Sequence, residues 1–178
     1  MRIPIFVISV FFSLVSRAQT DFAEQFKIIY QDGANGFIKF RGLITDTSKF
    51  EGEDRRTAFV SKVILPGTKE NYITVSETSI KKKDTTGYLN SSYSALLADS
   101  VKTKKGEKLC DEWRDKLHSM LGSGFNIRKL KLKPWNPAKY GWVLSDGMVD
   151  VSVDILPAKN LNLNRVWVTI SYSTFRTK

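Results

Sequence analysis

The stretch MVDVSVDIL, residues 148–156, decides how this chain is to be read. Val149, Val151, Val153 and Ile155 fall on one side of an extended backbone, and Asp150, Ser152 and Asp154 on the other. A period of two marks a strand with one buried and one wet face. Parallel strands covered on both sides read instead as unbroken apolar runs, so this alternation points to antiparallel sheet. RVWVTISYSTF, residues 165–175, repeats the pattern, with Val166, Val168, Ile170 and Tyr172 opposing Thr169, Ser171 and Ser173. Outward from these, Ala58–Leu65, Tyr72–Thr78 and Ala138–Leu144 read as strands bounded by Pro66-Gly67, Asn71 and Asp146-Gly147. Ile38, Phe40 and Ile44 mark another strand. Phe125, Ile127, Leu130 and Leu132 mark one more, whose phase changes between Ile127 and Leu130 as a bulge requires.

Two segments change to the helical period. Phe22, Phe26, Ile29 and Tyr30 recur at i, i+4, i+7 and i+8. Asp21 and Glu24 stand at capping-box spacing, and Gly33 offers a stop. Leu109, Trp113, Leu117 and Met120 repeat the spacing, widened by Cys110 and Leu121, and Gly122 ends the pattern. Each stripe needs an apolar surface to cover, and the strands supply it. The expected fold is therefore α+β: a broad antiparallel sheet with two main helices packed on one face. Both helical stripes end in glycine and lead to Gly-Phe and then strands, at Gly36-Phe37 and at Gly124-Phe125. This echo suggests two repeated α-then-β units, about Asp21–Lys104 and Lys105–Lys178. Tyr93–Val101 fits a helix through Tyr93, Leu96, Leu97 and Val101, and a strand through Tyr93, Ala95 and Leu97. The echo would match it to 165–175 and make it a strand. Thr45–Arg56 and Lys81–Asn90 read as polar surface loops.

The N-terminus has its own logic. Arg2 precedes an apolar run from Ile3 to Val15, and Ser16 and Ala18 place small residues at −3 and −1 of a cut before Gln19. Thirteen residues make only about 20 Å of helix, against a hydrocarbon core of roughly 30 Å. Residues 1–18 are therefore expected to be a signal peptide and 19–178 a single domain, periplasmic or secreted. After cleavage the chain is not expected to be an integral membrane protein. Arg2 and Arg17 lie in the leader, leaving 26 basic and 18 acidic residues, a net charge of +8. One cysteine, Cys110, excludes an internal disulfide framework and reads as a buried, inert thiol.

Catalytic chemistry finds little material here. One histidine, His118, sits on the second helical segment among Arg114 and Asp115, and with one cysteine the chain is too poor for a zinc site. Asp150 and Asp154 lie about 13 Å apart along a strand, too far for a paired-carboxylate hydrolase. No glycine-rich phosphate loop precedes a helix. No catalytic residue, metal or cofactor is expected. Asn90-Ser91-Ser92 is a glycosylation sequon that matters only in a eukaryotic host. The residues singled out for binding are Lys129, Lys131 and Lys133, read as a basic ridge opposite Leu130 and Leu132, with the rings of Trp135, Tyr140 and Trp142 shortly after. Lysines beside exposed rings can hold an anionic or sugar-bearing polymer by charge and stacking. The leading expectation is a non-catalytic binding or interaction module with an envelope-protein partner. The alternatives are a binder of anionic polysaccharide or membrane surface, and an enzyme with an unfamiliar site. Nucleic acid is a poor fit to an exported chain.

Overall fold

A computed structural model describes residues 21–48, 55–79, 86–131, 137–158 and 162–177. Residues 1–20, the expected leader among them, and the segment 132–136, with Lys133 and Trp135, lie outside the described residues. The chain runs through a helix and a four-stranded meander, then does so again. Helix α1 covers residues 21–32. It leads to β1 (Arg41–Ser48), β2 (Arg55–Ser61), β3 (Asn71–Ser79) and β4 (Thr86–Val101). Helix α2 (Thr103–Leu121) leads to β5 (Asn126–Lys129), β6 (Tyr140–Ser145), β7 (Val149–Pro157) and β8 (Asn164–Thr177). The strands form one antiparallel sheet in the order β1-β2-β3-β4-β8-β7-β6-β5. The last strands of the two meanders meet at its centre, where Tyr93 pairs with Ile170 and Ala95 with Val168.

Tyr93–Val101 is thus the end of a sixteen-residue strand. Its helical pattern comes from a register shift between Leu96 and Ala98, which brings a second apolar side chain into play on a bent strand.

Both helices lie on the face presented by Tyr93, Val151, Val153, Ile155, Val168 and Ile170, all at most 1 % exposed. On α1, Phe22, Phe26 and Ile29 are buried as their spacing requires. On α2 the most buried residues are Gly106, Cys110 and Leu117, with Leu109, Trp113, Met120 and Leu121 half-buried around them. The centre of the buried face is therefore rotated from the stripe expected. Gly106 lets the helix approach the sheet, since a Cβ there would meet Ile155 Cδ1 at 3.0 Å. Trp113 faces sideways to Phe22 on α1, with ring centroids 4.8 Å apart.

α1 ends just before Gly33, where the sequence offered a stop, though not by a left-handed turn: a Cβ on Gly33 would stand 2.0 Å from the Tyr172 ring, so it is a point of close approach. Two boundaries differ from the sequence reading. The reversal falls at Gly36 and Phe37, both at positive φ, and Ile38–Phe40 is a short 3-10 turn rather than strand. Arg41 stabilises that reversal by donating through Nε and Nη2 to the Gly36 carbonyl. β2 ends at Ser61, earlier than Leu65, because the Ser61 hydroxyl accepts from Val63 N and donates to Val63 O. The polar stretches at 45–56 and 81–90 also contribute the ends of β1, β2 and β4.

A buried polar knot anchors the first meander. Asn71 Oδ1 accepts from Leu65 N and from the Tyr93 hydroxyl, and its Nδ2 donates to Thr68 Oγ1 at 2.9 Å. Asn71 and Tyr93 are buried, and an unpaired polar atom there costs about 1–3 kcal/mol, so the knot fixes one conformation of the 61–71 turn.

Candidate functional site

Of the binding residues read from the sequence, the structure brings Lys129, Tyr140 and Trp142 together, the two rings with centroids 6.4 Å apart. Lys129 lies opposite Trp142 in the β5–β6 register, on the helix side of the sheet, with its Nζ 4.9 Å from the Tyr140 ring centroid. β5 ends at Lys129, and Leu130 and Lys131 after it are not strand. Lys131 is exposed beyond that end, and Lys133 and Trp135 fall outside the described residues. Tyr140 and Trp142 are half-buried beneath α2, where Asp111 Oδ1 accepts from the Tyr140 hydroxyl at 2.8 Å and from Trp142 Nε1 at 2.7 Å. The Arg114 guanidinium lies 4.5 Å over the Trp142 ring. These two rings tie helix to sheet and are not a free stacking platform. The pairing of Ile127 with Leu144 sets the phase of β5 and places Lys129 on the same side as Ile127.

The opposite face of the sheet carries a different surface. Its two central rows are Thr74, Ser92 and Ser171, then Ser94, Thr169 and Ser152, each row crossing neighbouring strands in register. All six are half-buried, and none has more than three side-chain heavy atoms, so the floor is shallow and polar. Ser94 and Thr169 hydroxyls meet at 3.1 Å, and Ser173 Oγ donates to Asn90 Oδ1 at 2.8 Å. A recess of about 360 Å³ opens over this floor, lined among others by Thr74, Asn90, Ser92, Asp150, Ser171 and Ser173.

Aromatic pairs stand at both ends of the floor. Tyr72 and Trp167 have centroids 6.3 Å apart at one end, and Tyr88 and Phe175 have centroids 5.5 Å apart at the other. Tyr88 and Phe175 are 44 % and 54 % exposed, unusual for large rings without a covering element. Eight residues separate Trp167 from Phe175, so the pairs lie roughly 26 Å apart along the strand. Charges border the floor. Arg128 pairs with Asp150 at 3.4 Å and Arg165 with Asp99 at 3.1 Å. Asp154 stands beside Trp167 in the register without such a partner among the described residues. Burial pushes its carboxyl up to about 6.

The sequence contains a signal for this surface, in the small polar residues on the wet side of β8. Thr169, Ser171 and Ser173 alternate with the core residues of β8, but the matching hydroxyls of β3 and β4 lie some eighty to a hundred residues earlier. Only the pairing of β4 with β8 brings them together.

No group of His, Cys, Asp and Glu among the described residues is placed to hold a metal ion. No helix among them is long and apolar enough to cross a membrane. The fold defines an α+β protein with one antiparallel sheet, covered by helices on one side. No family model matches the chain, and neither the curated proteins nor the solved structures contain a significant match to it.

Proposed function

We propose that the chain is an exported, non-catalytic binding module that takes a folded protein partner on the open face of its sheet. The observation that carries this reading is the hydroxyl floor between two aromatic pairs. Tyr and Trp supply large contact area at low entropic cost, while Ser and Asn supply adaptable hydrogen bonds, which is the chemistry of protein-binding paratopes. The small floor residues let a partner's side chains reach the sheet, and the rings at either end are anchors of the type that dominate interface energies. The leader at 1–18 and the basic mature chain suit a partner met in the envelope or outside it.

The test is crosslinking of the mature chain, Gln19–Lys178, in envelope fractions. It is run alongside a variant carrying Ser92→Glu and Ser171→Glu, which places two carboxylates on the floor without touching the core. A defined crosslinked protein with the wild type, lost with the double variant at unchanged circular dichroism, supports the reading. Equal capture by both proteins refutes it. N-terminal sequencing of the exported chain should begin at Gln19; an envelope-located chain retaining Met1 would overturn the leader assignment.

A further inference from the structure

We infer that the Asp154–Trp167 corner of the open face is the receptor for an arginine side chain of the protein partner. This inference rests on the open face being the docking surface and names the chemistry that it recognises there. The first observation is geometric. Asp154 is flanked in the β6–β7–β8 register by Gly141 on one side and Trp167 on the other. Gly141 has no side chain, and a Cβ there would stand 2.7 Å from Asp154 Cβ, so the β6 backbone comes close against the base of the Asp154 side chain and sets one wall. Trp167 supplies the other wall, and Tyr72 lies against it with rings inclined at 43°.

The second observation is the unmet charge. Asp154 forms no hydrogen bond or ion pair among the described residues, although the chain carries many more basic than acidic groups. The cations sharing its face among the described residues do not serve it. Arg165 is engaged by Asp99, and no ion pair joins Lys139 to Asp154. On its own strand Asp150 is paired with Arg128, and Ser152 and Leu156 carry no charge. Across the sheet α2 presents Cys110, whose thiol burial pushes up to about 12 and so leaves neutral. A half-buried carboxylate in this state has lost water without gaining a partner.

Arginine fits this corner better than lysine or a neutral group. Its planar guanidinium can stack on the indole face of Trp167 while donating two hydrogen bonds to the carboxylate, and it is weakly hydrated and so cheap to bury. Pairing also requires the ionised form of Asp154, so binding of the cation should weaken as the pH falls below about 6.

The probe is N-acetyl-arginine amide, titrated into the mature chain while the Trp167 indole and Asp154 carboxyl resonances are followed by NMR. N-acetyl-citrulline amide, the neutral isostere, serves as control. The expected result is saturable movement of both resonances with the arginine compound only, a fall of about one unit or more in the Asp154 titration midpoint, and at least a tenfold loss of affinity in Asp154→Asn. Equal shifts with citrulline, or undiminished binding by Asp154→Asn, would overturn the inference. The two levels separate cleanly: if Ser92→Glu with Ser171→Glu abolishes partner capture while Asp154→Asn does not, the arginine anchor fails and the docking face stands. If the floor variant captures normally, the docking face itself fails.

Discussion

Replacing Asp154 by asparagine should make the protein more stable at neutral pH and leave it nearly unchanged in acid. Burial pushes the Asp154 carboxyl up to about 6 in the folded chain, against about 3.9 in an unfolded one. Between those values the folded state binds more protons than the unfolded state, so this residue's contribution to stability falls as the pH rises from about 4 to about 6 and stays lost above that. At full burial a shift of this size would correspond to roughly 3 kcal/mol. Asp154 keeps part of its solvent exposure, which reduces the expected effect to about 1–2 kcal/mol. Asparagine has nearly the same shape and no charge to desolvate, so the variant avoids the penalty. Other carboxylates act with the opposite sign. Burial opposes the charged forms of Asp99 and Asp146, but Arg165 at the first and the backbone N–H groups of Val149 and Met148 at the second outweigh it and hold both low. Their contributions are common to wild type and variant and cancel in the difference. Urea unfolding at pH 4 and pH 7.5, with unchanged m-values, reads this difference directly. A variant that is no more stable at pH 7.5, or stabilised equally at both pH values, would refute the placement of Asp154 as an unpaired, half-buried carboxylate.

Four further outcomes test the packing that presents the open face. Asp111→Ala removes the shared acceptor of Tyr140 and Trp142 and should cost about 2 kcal/mol in urea unfolding, because hydrogen bonds to charged groups contribute about 1.5–3 kcal/mol and water can replace part of the loss. An unchanged midpoint would mean that these rings are held without it. Gly33→Ala should cost at least about 2 kcal/mol by driving a methyl group into the Tyr172 ring, whereas a neutral result would show that α1 is free to shift. Tyr93→Phe takes one donor from the Asn71 knot, and since Leu65 N still serves Asn71, the expected loss is about 1 kcal/mol. Cys110 should resist a disulfide reagent at pH 8 in the native protein and react on unfolding in urea, since burial raises its thiol to about 12; fast native labelling would contradict its place on the buried face of α2.

Much of the architecture was legible because it rests on local periods. The two-residue alternation at 148–156 and 165–175 and the i, i+4, i+7 stripe at Phe22, Phe26 and Ile29 each state which side must be buried, and those sides are buried. The register of β5 was less legible. Four residues of strand carry too little pattern to fix a phase, and the pairing of Ile127 with Leu144 turned Lys129 toward the helices. Tyr140 and Trp142 looked like platforms because a sequence cannot show that Asp111, some thirty residues earlier, accepts from both.

By itself the sequence determined the class of fold and the two-unit rhythm, and gave the export leader as an expectation. These follow from hydrophobic periodicity and composition, which act over a few residues. Only the tertiary structure decided that Tyr93–Val101 is strand, that β4 and β8 join the two meanders, and that Thr74, Ser92 and Ser171 share one row. The physical reason is that backbone hydrogen bonding between distant strands sets register, and register alone determines which small polar side chains, separated by a hundred residues of chain, become neighbours on one surface.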